Sequence, residues 1–123
     1  MLPALLEPRQ GCPRRRCGRV HDLAACEKRL GFVDVAAVCS TRPEVAREKA
    51  GRLGIPKVYE DYEDLLDDPD IELVDIVTPT RLHHPIAMAA MARRKHVIVD
   101  KPLALTLDQA REMRGGSGER RHL

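Results

Sequence analysis

The chain has 123 residues, 43% of them hydrophobic and 33% charged, with a formal net charge of +2. That length suits one small domain and leaves no room for a separate substrate domain of ordinary size. With no Trp, one Phe and two Tyr, any core must be built from Val, Leu, Ile, Ala and Met, as βα-repeating domains allow.

Arg14, Arg15, Arg16 and Arg19 crowd the start of the chain. The overall charge is close to neutral and no aromatic stacking set accompanies them, so they read as a solvated basic tail and no nucleic-acid partner is expected. The opening MLPALLEPRQ has neither a basic n-region nor a long apolar run, so no signal peptide is expected. No window approaches the roughly 18 consecutive apolar residues of a membrane span. Cys12, Cys17, Cys26 and Cys39 are therefore read as reduced thiols in a cytoplasmic chain. Cys12, Cys17, His21 and Cys26 lack the close Cys-x-x-Cys pair of a zinc site, and no metal is expected.

In chain order, residues 1–17 mix Pro3, Pro8, Pro13 and Gly11 with arginines and show no hydrophobic period, so they read as irregular. His21 to Leu30 can place Leu23, Ala24, Cys26 and Leu30 on one helical face, with Gly31 as the stop. VDVAAVC, Val33 to Cys39, is a β-branched apolar run of the kind buried in a parallel sheet. A helix then starts near Pro43, repeats Val45, Ala46, Ala50 and Leu53 at helical spacing, and stops at Gly54. Ile55 to Tyr59 is a short strand. DYEDLLDDPD is an acidic helix capped by Asp61 and ended by Pro69. Leu73 to Val77 is a second buried strand, Pro85 to Arg94 an Ala/Met-rich helix, and His96 to Val99 a third strand. Thr106 caps a last helix over Leu107 to Met113, and residues 114–123 read as a polar, disordered tail.

Strands alternating with helices predict an α/β fold with a parallel sheet and helices on both faces. Ligands of such sheets sit beyond the carboxyl ends of the strands, which singles out Ser40 to Arg42, Thr78 to His83 and Asp100 to Pro102.

Two of these segments carry a resemblance. VDIVTPTRLHHP contains Thr78, Pro79 and His83 in a Thr-Pro-x-x-x-His pattern, and HVIVDKP carries Asp100, Lys101 and Pro102 where a Glu-Lys-Pro motif would stand. From about Gly18 to Met113 the chain resembles the first domain of the Gfo/Idh/MocA oxidoreductases, typified by glucose-fructose oxidoreductase and inositol dehydrogenase. The resemblance implies a Rossmann-type, doubly wound sheet binding NADP or NAD. It implies hydride transfer to or from a sugar, cyclitol or related polyol, a substrate bound only in a full-length form. In that picture Lys101 is the catalytic residue, beside the nicotinamide, its ammonium stabilising the oxygen charge that develops in hydride transfer. Gly18, Ser40, Thr41, Arg42, Thr78, Pro79, His83, Asp100, Lys101 and Pro102 are the candidate cofactor residues. Either X-Pro bond, at Pro79 or Pro102, can be cis. For His83, capping of the next helix and contact with cofactor or substrate both stand open.

The position that selects the cofactor lies about 20 residues beyond the glycine loop, where an acid would bind the adenosine ribose. Here it reads Cys39, Ser40, Thr41, Arg42; a small residue with an arginine two positions on leans towards NADP. The glycine loop itself looks degraded. Gly18 matches the family's last glycine, but the two earlier slots hold Pro13 and Arg15, which remove a donor and add bulk. The strand before the loop is not visible either, leaving the central position of an incomplete sheet empty. A truncated, non-catalytic fragment or binding module with weak or no cofactor binding is therefore the alternative expectation.

Overall fold

The computed structural model describes residues 15–20, through their backbone alone, and residues 33–118. The elements are β1 (Arg15–Val20), β2 (Val33–Cys39), α1 (Pro43–Leu53), β3 (Lys57–Tyr59), α2 (Tyr62–Asp67), β4 (Leu73–Ile76), α3 (His83–Ala92), β5 (His96–Val99) and α4 (Leu107–Gly118). A single 3-10 turn, Thr80–Leu82, leads into α3.

Local chemistry sets most boundaries. Pro43 opens α1, where its fixed φ suits a first turn, and Glu44 favours the positive end of the helix dipole. Gly54 closes α1 in the left-handed region at φ 64°, and the Ile55 N–H donates to the Ala50 carbonyl at 2.9 Å. The same closure ends α3 without a glycine. Arg94 takes φ 62°, the Arg94 N–H donates to Met91 and the Lys95 N–H to Ala90, both at 3.0 Å. The Asp61 carboxylate accepts the Glu63 N–H at 2.9 Å at the start of α2, and the Thr106 hydroxyl accepts the Gln109 N–H at 3.2 Å at the start of α4.

The five strands form one parallel sheet in the order β3-β2-β1-β4-β5. Between Cys17↔Val35 and Gly18↔Ala37 the register shifts by one residue, so Ala36 is the extra residue of a bulge. That extra residue resets the alternation of β2. Val33, Val35 and Val38 thereby share one face with Leu73 and Ile98, packed with Ala46 and Ala50 of α1. Ala37 and Cys39 join Val74, Ile76, Val97 and Val99 on the other face, under Leu65 and Leu66 of α2, Ile86, Ala87 and Ala90 of α3, and Met113 of α4. The sheet is thus covered on both faces, the doubly wound arrangement expected from the alternating elements.

Several expectations change. The sequence reading leaves the central position of the sheet empty and makes residues 15–17 irregular; in the structure Arg15–Val20 occupies that position, paired with β2 on one side and β4 on the other. A polar segment of low β-propensity holds there because two apolar neighbours supply the ladder on both edges. The tail expected over residues 114–123 is corrected over residues 114–118, where α4 continues to Gly118; residues 119–123 lie outside the described residues. A Cβ on Gly116 would stand 3.2 Å from Met91 Cε, so the missing side chain lets this last turn of α4 approach α3 closely. α3 starts at His83, ahead of the expected Pro85, because a proline in a first helical turn gives up no intrahelical hydrogen bond. β3 starts only at Lys57, after Pro56. The helix expected over His21 to Leu30, and Cys12, Pro13, His21 and Cys26, lie outside the described residues.

Candidate functional site

Because every strand is parallel, the carboxyl ends of β2, β4 and β5 open onto one edge of the sheet. Chain order runs outward from β1 to β3 and then resumes at β4 on the other side of β1, so the direction of winding switches beside β4. That is where open α/β sheets leave a crevice.

A cleft of about 800 Å³ lies there, lined among others by Ser40, Thr41, Arg42, Thr78 and Pro79. Ser40 is placed by its own backbone, which donates to the Tyr59 carbonyl at 3.1 Å. Its hydroxyl accepts the Arg42 N–H at 3.1 Å, a tight turn that keeps Thr41 and Arg42 exposed at the rim. Across the cleft, the Thr78 hydroxyl is buried with no hydrogen-bond partner among the described residues. A buried, unsatisfied hydroxyl costs free energy that a bound polar group recovers. Cys39, at the floor, is inert at neutral pH: burial, then the Asp61 and Asp64 carboxylates, push its thiol up to about 12.

The Asp100–Lys101–Pro102 segment does not line this cleft; it stands beside it, past the end of β5. The Asp100 N–H donates to the Ile76 carbonyl at 3.0 Å, extending the β4–β5 ladder by one bond. The Asp100 carboxylate accepts the Lys101 N–H at 2.8 Å, and the Lys101 side chain is exposed. The Lys101–Pro102 peptide is cis. His83 joins the two parts. Its ring is 1% exposed, with Nδ1 2.9 Å from the Pro102 carbonyl oxygen and Nε2 2.8 Å from the Thr78 carbonyl oxygen.

The structure therefore gathers Ser40, Thr41, Arg42, Thr78 and Pro79 around one cleft, with Asp100, Lys101 and Pro102 tied in through His83. Gly18 is not among them as expected: it sits inside β1, opposite Ala37 and Val74, not in a loop that follows a strand. Asp61, Tyr62, Arg81 and Leu82 also line the cleft. In the sequence Asp61 is legible only as a helix cap and the others carry no mark, because nothing local shows a helix start or a 3-10 turn to face another strand's end. His84 lies with Nε2 2.7 Å from Glu112 Oε2 and links α3 to α4. No described helix is long and apolar enough to cross a membrane.

Comparison with known proteins agrees with this geometry. The oxidoreductase family Gfo/Idh/MocA, described as an NAD-binding Rossmann fold, matches residues 15–115. The levoglucosan dehydrogenase of Pseudarthrobacter phenanthrenivorans is 38% identical over 102 residues, which are 78% of this chain and 26% of that protein. The inositol 2-dehydrogenase/D-chiro-inositol 3-dehydrogenase of Lactiplantibacillus plantarum is 37% identical over 87 residues, 70% of this chain and 25% of that protein. Among solved structures, a levoglucosan dehydrogenase in complex with NADH and levoglucosan superposes with a TM-score of 0.75 at 29% identity, covering 85% of this chain and 32% of that one. The chain thus spans about a quarter of the curated relatives it matches. By this match, its parallel doubly wound sheet and the strand-end cleft, the chain belongs to the Gfo/Idh/MocA oxidoreductase family, within its NAD-binding Rossmann domain.

Proposed function

We propose that this chain is the nicotinamide-dinucleotide-binding part of a cytoplasmic oxidoreductase acting on a sugar, cyclitol or related polyol, with NADP preferred over NAD. The observation that carries the reading is the cleft at the ends of β2 and β4, with the Ser40–Arg42 turn on one wall and the buried, unpartnered Thr78 hydroxyl on the other. These residues fit a dinucleotide. Ser40 and Thr41 leave room at the rim for an adenosine ribose, and no carboxylate stands at Ser40 to repel a 2'-phosphate. The exposed Arg42 guanidinium can fork onto that phosphate. Thr78 offers its hydroxyl, and Pro79 turns the chain away without losing a ladder bond.

When bound, the nicotinamide ring supplies the donor or acceptor of the hydride. Lys101, exposed past β5, is the residue for the reacting centre. Its ammonium stands beside the nicotinamide, where it contacts the bound cofactor, hydrogen-bonds the substrate oxygen and stabilises the negative charge that builds there. The polyol is held by a longer form of the protein.

Titration of the chain with NADPH and NADH, followed by nicotinamide fluorescence, tests this reading beside an Arg42→Ala variant. NADPH is expected to bind the more tightly, and the variant to lose about tenfold in NADPH affinity, the worth of one charge-assisted phosphate contact, with NADH affinity unchanged. Equal loss for both cofactors refutes the NADP preference, and binding of neither refutes the function.

A further inference from the structure

His83 touches neither helix N–H groups nor the cleft: its two ring nitrogens face two carbonyl oxygens, one on each of the segments that follow β4 and β5. The β4–β5 ladder ends at Ile76↔Val99, and the Asp100 N–H bond to Ile76 is its last backbone extension. Past that point no backbone hydrogen bond joins the two segments among the described residues, and the buried imidazole links Thr78 to Pro102. The Lys101 backbone is consequently held from both sides. Before it, Asp100 is anchored to Ile76 and accepts the Lys101 N–H. After it, the Pro102 carbonyl is held by His83. A side chain that is itself exposed thus leaves from a backbone fixed at two points.

The two contacts of the ring are not equivalent. A neutral imidazole carries one N–H and two carbonyls can only accept, so the neutral ring donates to one of them and the doubly protonated ring to both. The Thr78 side is already secured locally, since the Leu82 N–H donates to the Pro79 carbonyl at 2.8 Å and Thr78 is five residues from His83 in the chain. The Pro102 contact joins residues 19 apart in sequence, with no such local support among the described residues.

Resting on the role proposed above for Lys101, we propose that His83 is a positioning residue: its Nδ1–H donates to the Pro102 carbonyl and fixes the backbone from which Lys101 reaches the cofactor. It acts through that peptide and makes no contact with the ligand.

Asn and Gln separate the two contacts, because the amide nitrogen of Asn falls near the place of Nδ1 and that of Gln near Nε2. The test uses the 123-residue chain labelled with 15N and 13C, unaltered and as His83→Asn and His83→Gln, each with Lys101 present and as Lys101→Ala. In the unaltered chain the ring-nitrogen shifts should show a proton on Nδ1. The Asn variant should keep the Pro102 carbonyl shift and an ordered Lys101 amide, with NADPH affinity within about twofold, while the Gln variant loses the shift and the order and binds about tenfold more weakly. In the Lys101→Ala background the Gln substitution should cost nothing further, since both act through one side chain. A bare Nδ1, an unchanged Lys101 amide in the Gln variant, or an equal loss of affinity with and without Lys101 overturns the proposal. If the unaltered chain binds neither cofactor, the functional reading above fails; the ring nitrogens and the Lys101 amide still decide this one.

Discussion

Where β3, β4 and β5 begin, the buried polar side chains are matched to partners; where β4 ends, the buried Thr78 hydroxyl has none among the described residues. On the first edge the buried Asp68 carboxylate accepts from Lys57 Nζ at 2.7 Å, from the Tyr59 hydroxyl at 2.9 Å and from the Asp70 N–H at 2.9 Å. Lys95 Nζ donates to the Asp68 and Ile71 carbonyls at 2.6 and 2.7 Å, so one network ties together the starts of the three strands. On the opposite edge the Thr78 hydroxyl is buried without a partner among the described residues, and Lys101 is exposed. The contrast separates two uses of polar side chains in one small sheet. Satisfied groups hold the strands in place, and unsatisfied groups wait for a ligand.

The largest effect should come from breaking the satisfied edge. Asp68→Asn removes the charge to which Lys57 and Tyr59 donate, and is expected to cost about 2–3 kcal/mol of unfolding free energy, read from urea midpoints. Burial opposes ionisation of Asp68, yet the hydrogen bonds from Lys57, the Asp70 N–H and Tyr59 together hold its carboxyl below the ordinary value of 3.8. Its contribution is therefore fully present above that value and is lost as pH falls through the lower folded-state value. The acid limb of the stability–pH curve should flatten in Asp68→Asn; an unchanged limb contradicts the network. Lys95→Met, which removes the two hydrogen bonds that the ammonium donates to the carbonyls of Asp68 and Ile71 but takes its own charge away with them, should cost less, about 1–2 kcal/mol, in the same unfolding experiment.

The smallest stability effect belongs to the open edge. Thr78→Val deletes a hydroxyl that has no partner among the described residues, so unfolding free energy should stay level or rise, by no more than about 1 kcal/mol. NADPH affinity should nevertheless fall. A Thr78→Val chain that is clearly destabilised would show the hydroxyl to be partnered within the protein and would erase the difference between the edges.

Much of this fold is legible in the sequence, for reasons that are local. Val33–Cys39 announces a buried strand through its own β-branched run, Gly54 ends α1 because the left-handed turn favours glycine, and Asp61 and Thr106 cap the helices that follow them. The strand ends that carry Ser40, Thr78 and Lys101 follow from the same pattern. What escapes is whatever partners supply. β1 is a strand because β2 and β4 flank it, the bulge at Ala36 exists only in its pairing with Gly18, and α4 runs past Met113 because Gly116 meets Met91. His83 belongs with these. Its motif marks it as special, but the choice between helix cap and ligand contact leaves out the third role, a bridge to Pro102 that only the packed sheet creates.

The contrast between the edges is tested most directly by adding NADPH to the 15N-labelled chain and mapping which backbone amides move. Shifts should concentrate at Ser40, Thr41, Arg42, Thr78 and Lys101, while Lys57, Asp68 and Lys95 stay still. Shifts centred on Asp68, or none anywhere at saturating NADPH, would contradict the assignment of the strand-end edge to the cofactor.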